Sequence, residues 1–217
     1  MFRQILAVQW KFSRNALAAL SVLVALLPAL TMRLSVVATI NQTPRGLVMF
    51  ASGLGFCLAL LAVLTGGILF ETTWRNDTNG KYVYLLSMPI TWRRFMLSRL
   101  AGGLLLLFLP AICLWIGSVI GTAFVPLPPT LHTYPAGIAI RFFLASTLAF
   151  CLWSALVHFS GQRATLVVLL ILLVVITVPI VFAVAGISLP TDTLFRWIAD
   201  PPSPISVLFS RWALIDV

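Results

Sequence analysis

Residues 46–70 read GLVMFASGLGFCLALLAVLTGGILF, a run of apolar and small side chains without a charged residue. A helix of about 20 such residues crosses the roughly 30 Å hydrocarbon core of a bilayer. A helix also pairs its backbone amides and carbonyls with one another, and lipid offers these groups no hydrogen-bond partners. A transmembrane β-strand would alternate apolar and polar residues, and this run does not. The run therefore predicts a transmembrane helix.

Similar apolar runs lie on both sides of this one, and the whole chain has the composition of a membrane protein. Of its 217 residues, 61% are hydrophobic and 9% are charged, whereas a soluble domain carries about 25% charged residues. We predict five spans, at about 16–32, 46–70, 100–125, 136–159 and 164–187. The fold class is an all-α integral membrane protein, a polytopic bundle of five to six transmembrane helices in a single domain, 1–217.

The last 30 residues, 188–217, are mixed in polarity and interrupted by prolines. They are too polar for an ordinary span, so we predict an extracytoplasmic or re-entrant tail. Re-entrant backbone is tolerated at membrane depth only where protein covers it. Whether a sixth span exists stays open.

The basic residues predict the orientation of the chain. Nine fall on one side of the predicted spans: Arg3, Lys11, Arg14, Arg75, Lys81, Arg93, Arg94, Arg99 and Arg163. Five fall on the other: Arg33, Arg45, Arg141, Arg196 and Arg211. Lys and Arg accumulate in cytoplasmic loops, so the N-terminus is predicted to be cytoplasmic. The net charge of +9 then reflects topology, and no nucleic-acid partner is expected.

The first 15 residues are too polar for a span. Two sets of side chains lie on opposite arcs of a helical projection: Arg3, Lys11 and Arg14 on one, and Phe2, Ile5, Val8 and Phe12 on the other. Such a pattern is typical of an amphipathic helix in the membrane interface, with its basic face toward lipid phosphates. The alternative is a frayed tail whose charges serve topology.

The few reactive side chains of the sequence form no catalytic or metal-binding pattern. The three cysteines lie in apolar runs, where they act as small hydrophobic residues. Neither histidine has partner ligands at helical spacing, so no metal site is expected. The five acidic residues lie at span edges or in loops. We therefore predict no enzymatic activity, and we expect no charges buried deep in the spans, which argues against an ion-coupled carrier.

The segment between the second and third spans carries the densest group of basic residues. Glu71 falls at the membrane edge and can pair with Arg75, four residues later on a helix; alternatively it is a plain helix-end charge at the interface. Asp77 and the residues up to Gly80 are helix-capping and turn-forming types. They predict a break in the long helix.

A new short helix is predicted after the break. Tyr82, Leu85 and Leu86 share one of its faces, and Pro89 ends it. Thr91 then caps the next helix, which begins with Trp92, Arg93 and Arg94 at the inner headgroup layer. The apolar face of the short helix either packs on its own bundle or fills a groove on a soluble partner.

The stretch FETTWRNDTNGKYVYLLSMPITWRRFMLSRL, residues 70–100, resembles the corresponding loop of ABC-2-type transporter permeases. The residues that carry the resemblance are Glu71, Gly80, the run Tyr84-Leu85-Leu86-Ser87, Pro89 and the pair Arg93-Arg94. In that family the short helix is a coupling helix that docks on a nucleotide-binding subunit, and an amphipathic N-terminal helix precedes the spans. The family usually has six spans, whereas five are counted here.

The resemblance implies the permease subunit of an ABC exporter. It would pair with itself or a sister subunit, and ATP and Mg²⁺ would be bound by a separate ATP-binding subunit. The chain itself has no GxxxxGK[ST] phosphate-binding pattern and is expected to bind no cofactor.

Gly117 and Gly121 form a GxxxG pair that lets helices approach closely. The substrate would be apolar or amphipathic. The alternative is a membrane anchor or scaffold that recruits a cytoplasmic partner without transport.

Overall fold

The computed structural model describes residues 2–37, 44–79, 91–123, 132–160, 212 and 214–216. Its elements are the helices α1 (Phe2–Val37), α2 (Pro44–Asn79), α3 (Trp92–Ala123) and α4 (Pro135–Ser160), and the short strands β1 (His132–Thr133) and β2 (Ile215–Asp216). The chain divides into two compact units, 1–150 with 211–217, and 151–210. The described part of the second unit is the last part of α4, and the account below concerns the first unit.

The described part of the chain is almost entirely helical, as the sequence predicts. Its four helices are long and apolar enough to cross a membrane, over Phe2–Arg33, Cys57–Trp74, Arg93–Ala123 and Pro135–Val157. The predicted fifth span, 164–187, and residues 188–211 of the predicted tail lie outside the described residues.

Helix α1 differs from the prediction, because an interfacial helix over 1–15 and a span over 16–32 form one continuous helix. No glycine or proline separates the two parts, and Ser13 Oγ donates to the carbonyl of Gln9 at 2.7 Å within the helix. Near the N-terminus the buried side chains are polar, Gln9 and Ser13. The basic residues and most of the apolar residues of this part are exposed, so neither predicted face is buried in the bundle.

Helices that follow one another in the sequence alternate in direction. Gly117 and Gly121 of α3 lie against Ala25 and Ala29 of α1, so α1 and α3 run parallel. Helices α2 and α3 run antiparallel, because Arg99 near the start of α3 bonds to Thr73 near the end of α2. The N-terminus of α1, the C-terminus of α2 and the N-terminus of α3 therefore lie at one end of the bundle, which we call the basic end.

Close backbone approach accounts for much of the helix packing. On α2, a Cβ at Gly66 would lie 2.5 Å from the carbonyl oxygen of Ser146 and 2.8 Å from the amide nitrogen of Phe150, both on α4. Lipid is as apolar as a leucine side chain, so van der Waals packing at such contacts, more than hydrophobic burial, holds membrane helices together. Large apolar side chains point outward along α3, among them Leu105, Ile112, Trp115 and Ile120.

The end opposite the basic end is closed by residues near the C-terminus. Strand β2 pairs antiparallel with β1, and the amide of Tyr134 donates to the carbonyl of Leu214 at 2.9 Å. Trp212, 6% exposed, lies against Gly55 of α2, where a Cβ would come within 2.5 Å of the tryptophan Cβ. Residues 212 and 214–216 thus contact both α2 and the segment that leads into α4.

Candidate functional site

The predicted coupling helix lies between two helices whose ends are defined. Its residues Gly80, Tyr82, Leu85, Leu86 and Pro89 fall outside the described part of the chain. Helix α2 ends at Asn79 and α3 begins at Trp92, as the predicted break and restart require. The carbonyl of Thr91 accepts from the amide of Phe95 at 3.2 Å, which places Thr91 at the N-cap position.

The charged residues predicted for this region lie on the same two helices. Glu71 of α2 and Arg93 and Arg94 of α3 are exposed. Arg75 and Asp77 belong to the last turns of α2, and their side chains are outside the described set. The Glu71–Arg75 pair therefore stays a prediction.

A buried charged residue follows this exposed group on α3. Arg99 is only 5% exposed, about two turns after the start of α3. Its Nη2 donates to the carbonyl oxygen of Thr73 on α2. Its Cζ lies 5.1 Å from the ring centroid of Trp74 and 5.4 Å from that of Phe95. A carbonyl dipole and two aromatic faces thus replace part of the water that a guanidinium loses on burial.

The tryptophan is itself held by an aromatic stack. Trp74, 2% exposed, is stacked on Phe70 with a centroid distance of 5.6 Å and an interplanar angle of 19°. Phe70 in turn meets Phe150 of α4 edge to face at 6.1 Å. Since each ring is fixed by the next, the face that Trp74 presents to Arg99 has little freedom to turn.

Helix α1 reaches the same point through Gln9. Gln9 Nε2 donates to the backbone carbonyl of Arg99 at 3.0 Å. A Cβ at position 102 would overlap Gln9 Oε1, so Gly102 provides the space that this side chain occupies. We call Gln9, Thr73, Trp74, Phe95, Arg99 and Gly102 the Arg99 cluster; it joins α1, α2 and α3.

Sequence reasoning missed this cluster. It assigned Arg99 to a cytoplasmic loop, whereas the structure places Arg99 on α3, buried near one end of the helix. Helix α3 begins at Trp92, well before the predicted span at 100, so Arg99 is helical and flanked by α1 and α2. The available signals were weak: a glycine three residues after the arginine, and a polar pair, Gln9 and Ser13, on the helical N-terminus.

The cluster ties together the two helices on either side of the predicted coupling helix. We call the stretch between them, residues 80–90, the docking segment. Thr73 lies about 9 Å before the end of α2 at Asn79, at a helical rise of 1.5 Å per residue. Arg99 lies about 10 Å after the start of α3 at Trp92. Residues 80–90 are therefore attached to helix ends that are bonded to each other a short distance away.

The two glycines predicted for helix packing lie far from the cluster along α3. A Cβ at Gly117 would overlap the carbonyl oxygen of Ala25, and one at Gly121 would lie 3.2 Å from Pro28 O and Ala29 Cα. Both glycines therefore face α1 of the same chain. They align α1 with α3 over the half of the bundle away from the basic end.

No model of a known protein family, no curated protein and no solved structure matches this chain. Among the residues that the structure describes, no group of three or more His, Cys, Asp or Glu side chains could hold a metal ion. The case for a function therefore rests on the chain's own residues and their contacts.

Proposed function

We propose that this chain is the permease subunit of an ABC-2-type exporter in a bacterial inner membrane. It has five to six spans and a cytoplasmic N-terminus in contact with membrane lipids, and it pairs with itself or with a sister permease. A separate ATP-binding subunit hydrolyses ATP with Mg²⁺ and docks on residues 80–90. The permease is not an enzyme, and its substrate is apolar or amphipathic.

The observation that supports coupling is the joint between α2 and α3 at Arg99. An anchor or scaffold needs only a surface that holds its partner. A transporter must also pass the partner's movement into the bundle. The bonds from Arg99 to Thr73 and from Gln9 to Arg99 link the segment to three helices within about three turns of it. This arrangement favours a transporter over a scaffold.

In this proposal ATP-driven closure of the partner displaces residues 80–90. The tied ends of α2 and α3 then rock together, and α1 follows through its contact at Gln9. Two packings of the bundle, open to one side or to the other, exchange population as the partner binds and hydrolyses ATP.

The polar groups inside the described spans support an apolar or amphipathic substrate. Buried hydroxyls bond to their own helices: Thr65 to Leu61 at 2.6 Å and Ser118 to Leu114 at 2.7 Å. Arg99 is the one charged residue that is buried in the described part of the chain, and it lies near one end of α3. A path for ions would carry ionisable groups deeper in the membrane.

The decisive experiment introduces a charge on the docking segment. The wild-type chain and the Leu85→Asp variant are each purified with an ATP-binding cassette subunit of the same organism that binds the wild-type chain, and are reconstituted in nanodiscs. Burying an aspartate in the partner's groove should weaken docking by about 2 kcal/mol or more, which is about 30-fold in affinity. Thr91→Asp is the control, because Thr91 is exposed just outside the segment and aspartate also serves as a helix N-cap.

We expect Leu85→Asp to reduce stimulated ATPase activity while insertion and yield stay at the wild-type level. Thr91→Asp should leave the activity unchanged. Wild-type stimulation in Leu85→Asp would contradict the docking role. A partner that binds the wild-type chain without any stimulation or transport would identify a scaffold instead.

A further inference from the structure

The Arg99 cluster uses a buried cation where an apolar residue would stabilise the bundle as well. Taking a guanidinium out of water costs several kcal/mol, and replacing a buried ionic group by well-packed apolar side chains is often neutral or stabilising. A buried polar contact instead restricts the two helices that it joins to one geometry. At Arg99 that geometry is the register between α2 and α3.

The contacts of Arg99 are specific to arginine and to one register. The planar guanidinium lies over two rings, 5.1 Å from Trp74 and 5.4 Å from Phe95, while one nitrogen reaches the carbonyl of Thr73. A lysine has neither the flat surface nor the fork of donors. Sliding α2 by one residue would turn Trp74 about 100° away from α3 and remove the site for the guanidinium.

Among the described residues, few other contacts hold this register between α2 and α3. Helix α3 packs far more extensively on α1 than on α2, and its glycine contacts at positions 117 and 121 are made with α1. In the described part of the chain Arg99 supplies a polar tie from α3 to α2, and Gln9 adds α1 to it through the Arg99 carbonyl.

We infer that Arg99 is a positioning residue for the docking segment: it locks α2 to α3 in one register, so that movement of residues 80–90 reaches the membrane bundle. This inference rests on the proposed function. It assigns to Arg99 the transmission of movement, and it leaves the binding of the partner to the docking segment.

The first test measures the register without any partner. Spin labels are placed at Glu71→Cys and Leu97→Cys, both exposed, in a full-length chain whose native cysteines are replaced by serine, and their separation is measured by pulsed EPR in nanodiscs. We compare Arg99→Lys and Arg99→Gln with Arg94→Lys and Arg94→Gln, since Arg94 is exposed one and a half turns earlier on the same helix. Gly102→Ala is a milder third variant, which displaces Gln9 and keeps Arg99.

We expect the Arg99 variants to broaden the distance distribution or add a second peak, and the Arg94 variants to leave it unchanged. Gly102→Ala should give a smaller broadening. An unaltered distribution in folded Arg99→Lys and Arg99→Gln would overturn the inference, whatever the partner proves to be.

The second test separates transmission from docking in the reconstituted complex. Arg99→Lys and Arg99→Gln should lower the maximal stimulated ATPase rate while the partner concentration for half-maximal stimulation stays at the wild-type value. Leu85→Asp should raise that concentration. Wild-type coupling in Arg99 variants with a broadened distribution would overturn the positioning role alone. Wild-type behaviour of Leu85→Asp would instead overturn the proposed function, and the EPR result would still stand.

Discussion

Two adjacent glycines on α2 offer a sharp test of the helix packing. Gly66 faces α4, where an added Cβ would lie 2.5 Å from Ser146 O, 2.8 Å from Phe150 N and 2.9 Å from Ala149 Cβ. Around Gly67 nothing among the described residues lies within 4 Å of such a Cβ. We therefore expect the free energy of unfolding to be lower in Gly66→Ala than in Gly67→Ala.

The magnitude follows from which atoms the new methyl group meets. Two of the three atoms near Gly66 are backbone atoms of α4, so no rotamer change relieves the overlap, and the helices must separate by about 0.5–1 Å. A gap of that size forfeits a quarter to a half of the dispersion energy of the affected contacts, and overpacking of this kind costs about 1–3 kcal/mol. The gain in helix propensity from Gly to Ala, about 1 kcal/mol, is common to both variants and cancels in their difference.

The assay is reversible unfolding in mixed micelles, with the free energy of unfolding obtained from an SDS titration followed by far-UV circular dichroism. Gly66→Ala should be less stable than Gly67→Ala by about 1–3 kcal/mol, and Gly67→Ala should equal or exceed the wild type. Equal unfolding free energies for the two variants would show that α2 and α4 are not in close backbone contact at Gly66, and would refute the packing described above.

Two further predictions concern the end opposite the basic end. His132 and Arg94 are both exposed and lie at opposite ends of the bundle. An impermeant maleimide added to intact spheroplasts should label a single cysteine introduced at 132 and leave one at 94 unlabelled, because the proposed N-terminus is cytoplasmic. The reverse pattern would invert the topology. Trp212→Ala should lower the unfolding free energy by about 3–5 kcal/mol, because Trp212 is buried against Gly55. Trp115→Ala, at a residue 48% exposed, is its control and should cost much less; equal losses would mean that Trp212 does not pack on α2.

Helix identity and approximate extent could be read from the amino-acid sequence, because apolar composition and length are local properties. The run at 46–70 lies within α2, the run at 100–125 largely within α3, and the run at 136–159 within α4. The break near Asn79 and the restart at Trp92 also followed from local capping and turn chemistry. The continuity of α1 through 1–15 into the span could not be predicted, because amphipathicity does not show whether one helix continues into the next.

The partners of each helix face could not be read in the same way. Arg99 looks like one more basic residue beside Arg93 and Arg94 until α1 and α2 bury it, and Gly66 differs from Gly67 only through the position of α4. Lipid is as apolar as the helices, so hydrophobicity along the chain carries no preference for one neighbour over another. Backbone approach and a few polar bonds decide the arrangement, and these join residues as far apart as Gln9 and Arg99, a relation that exists only once the helices have packed.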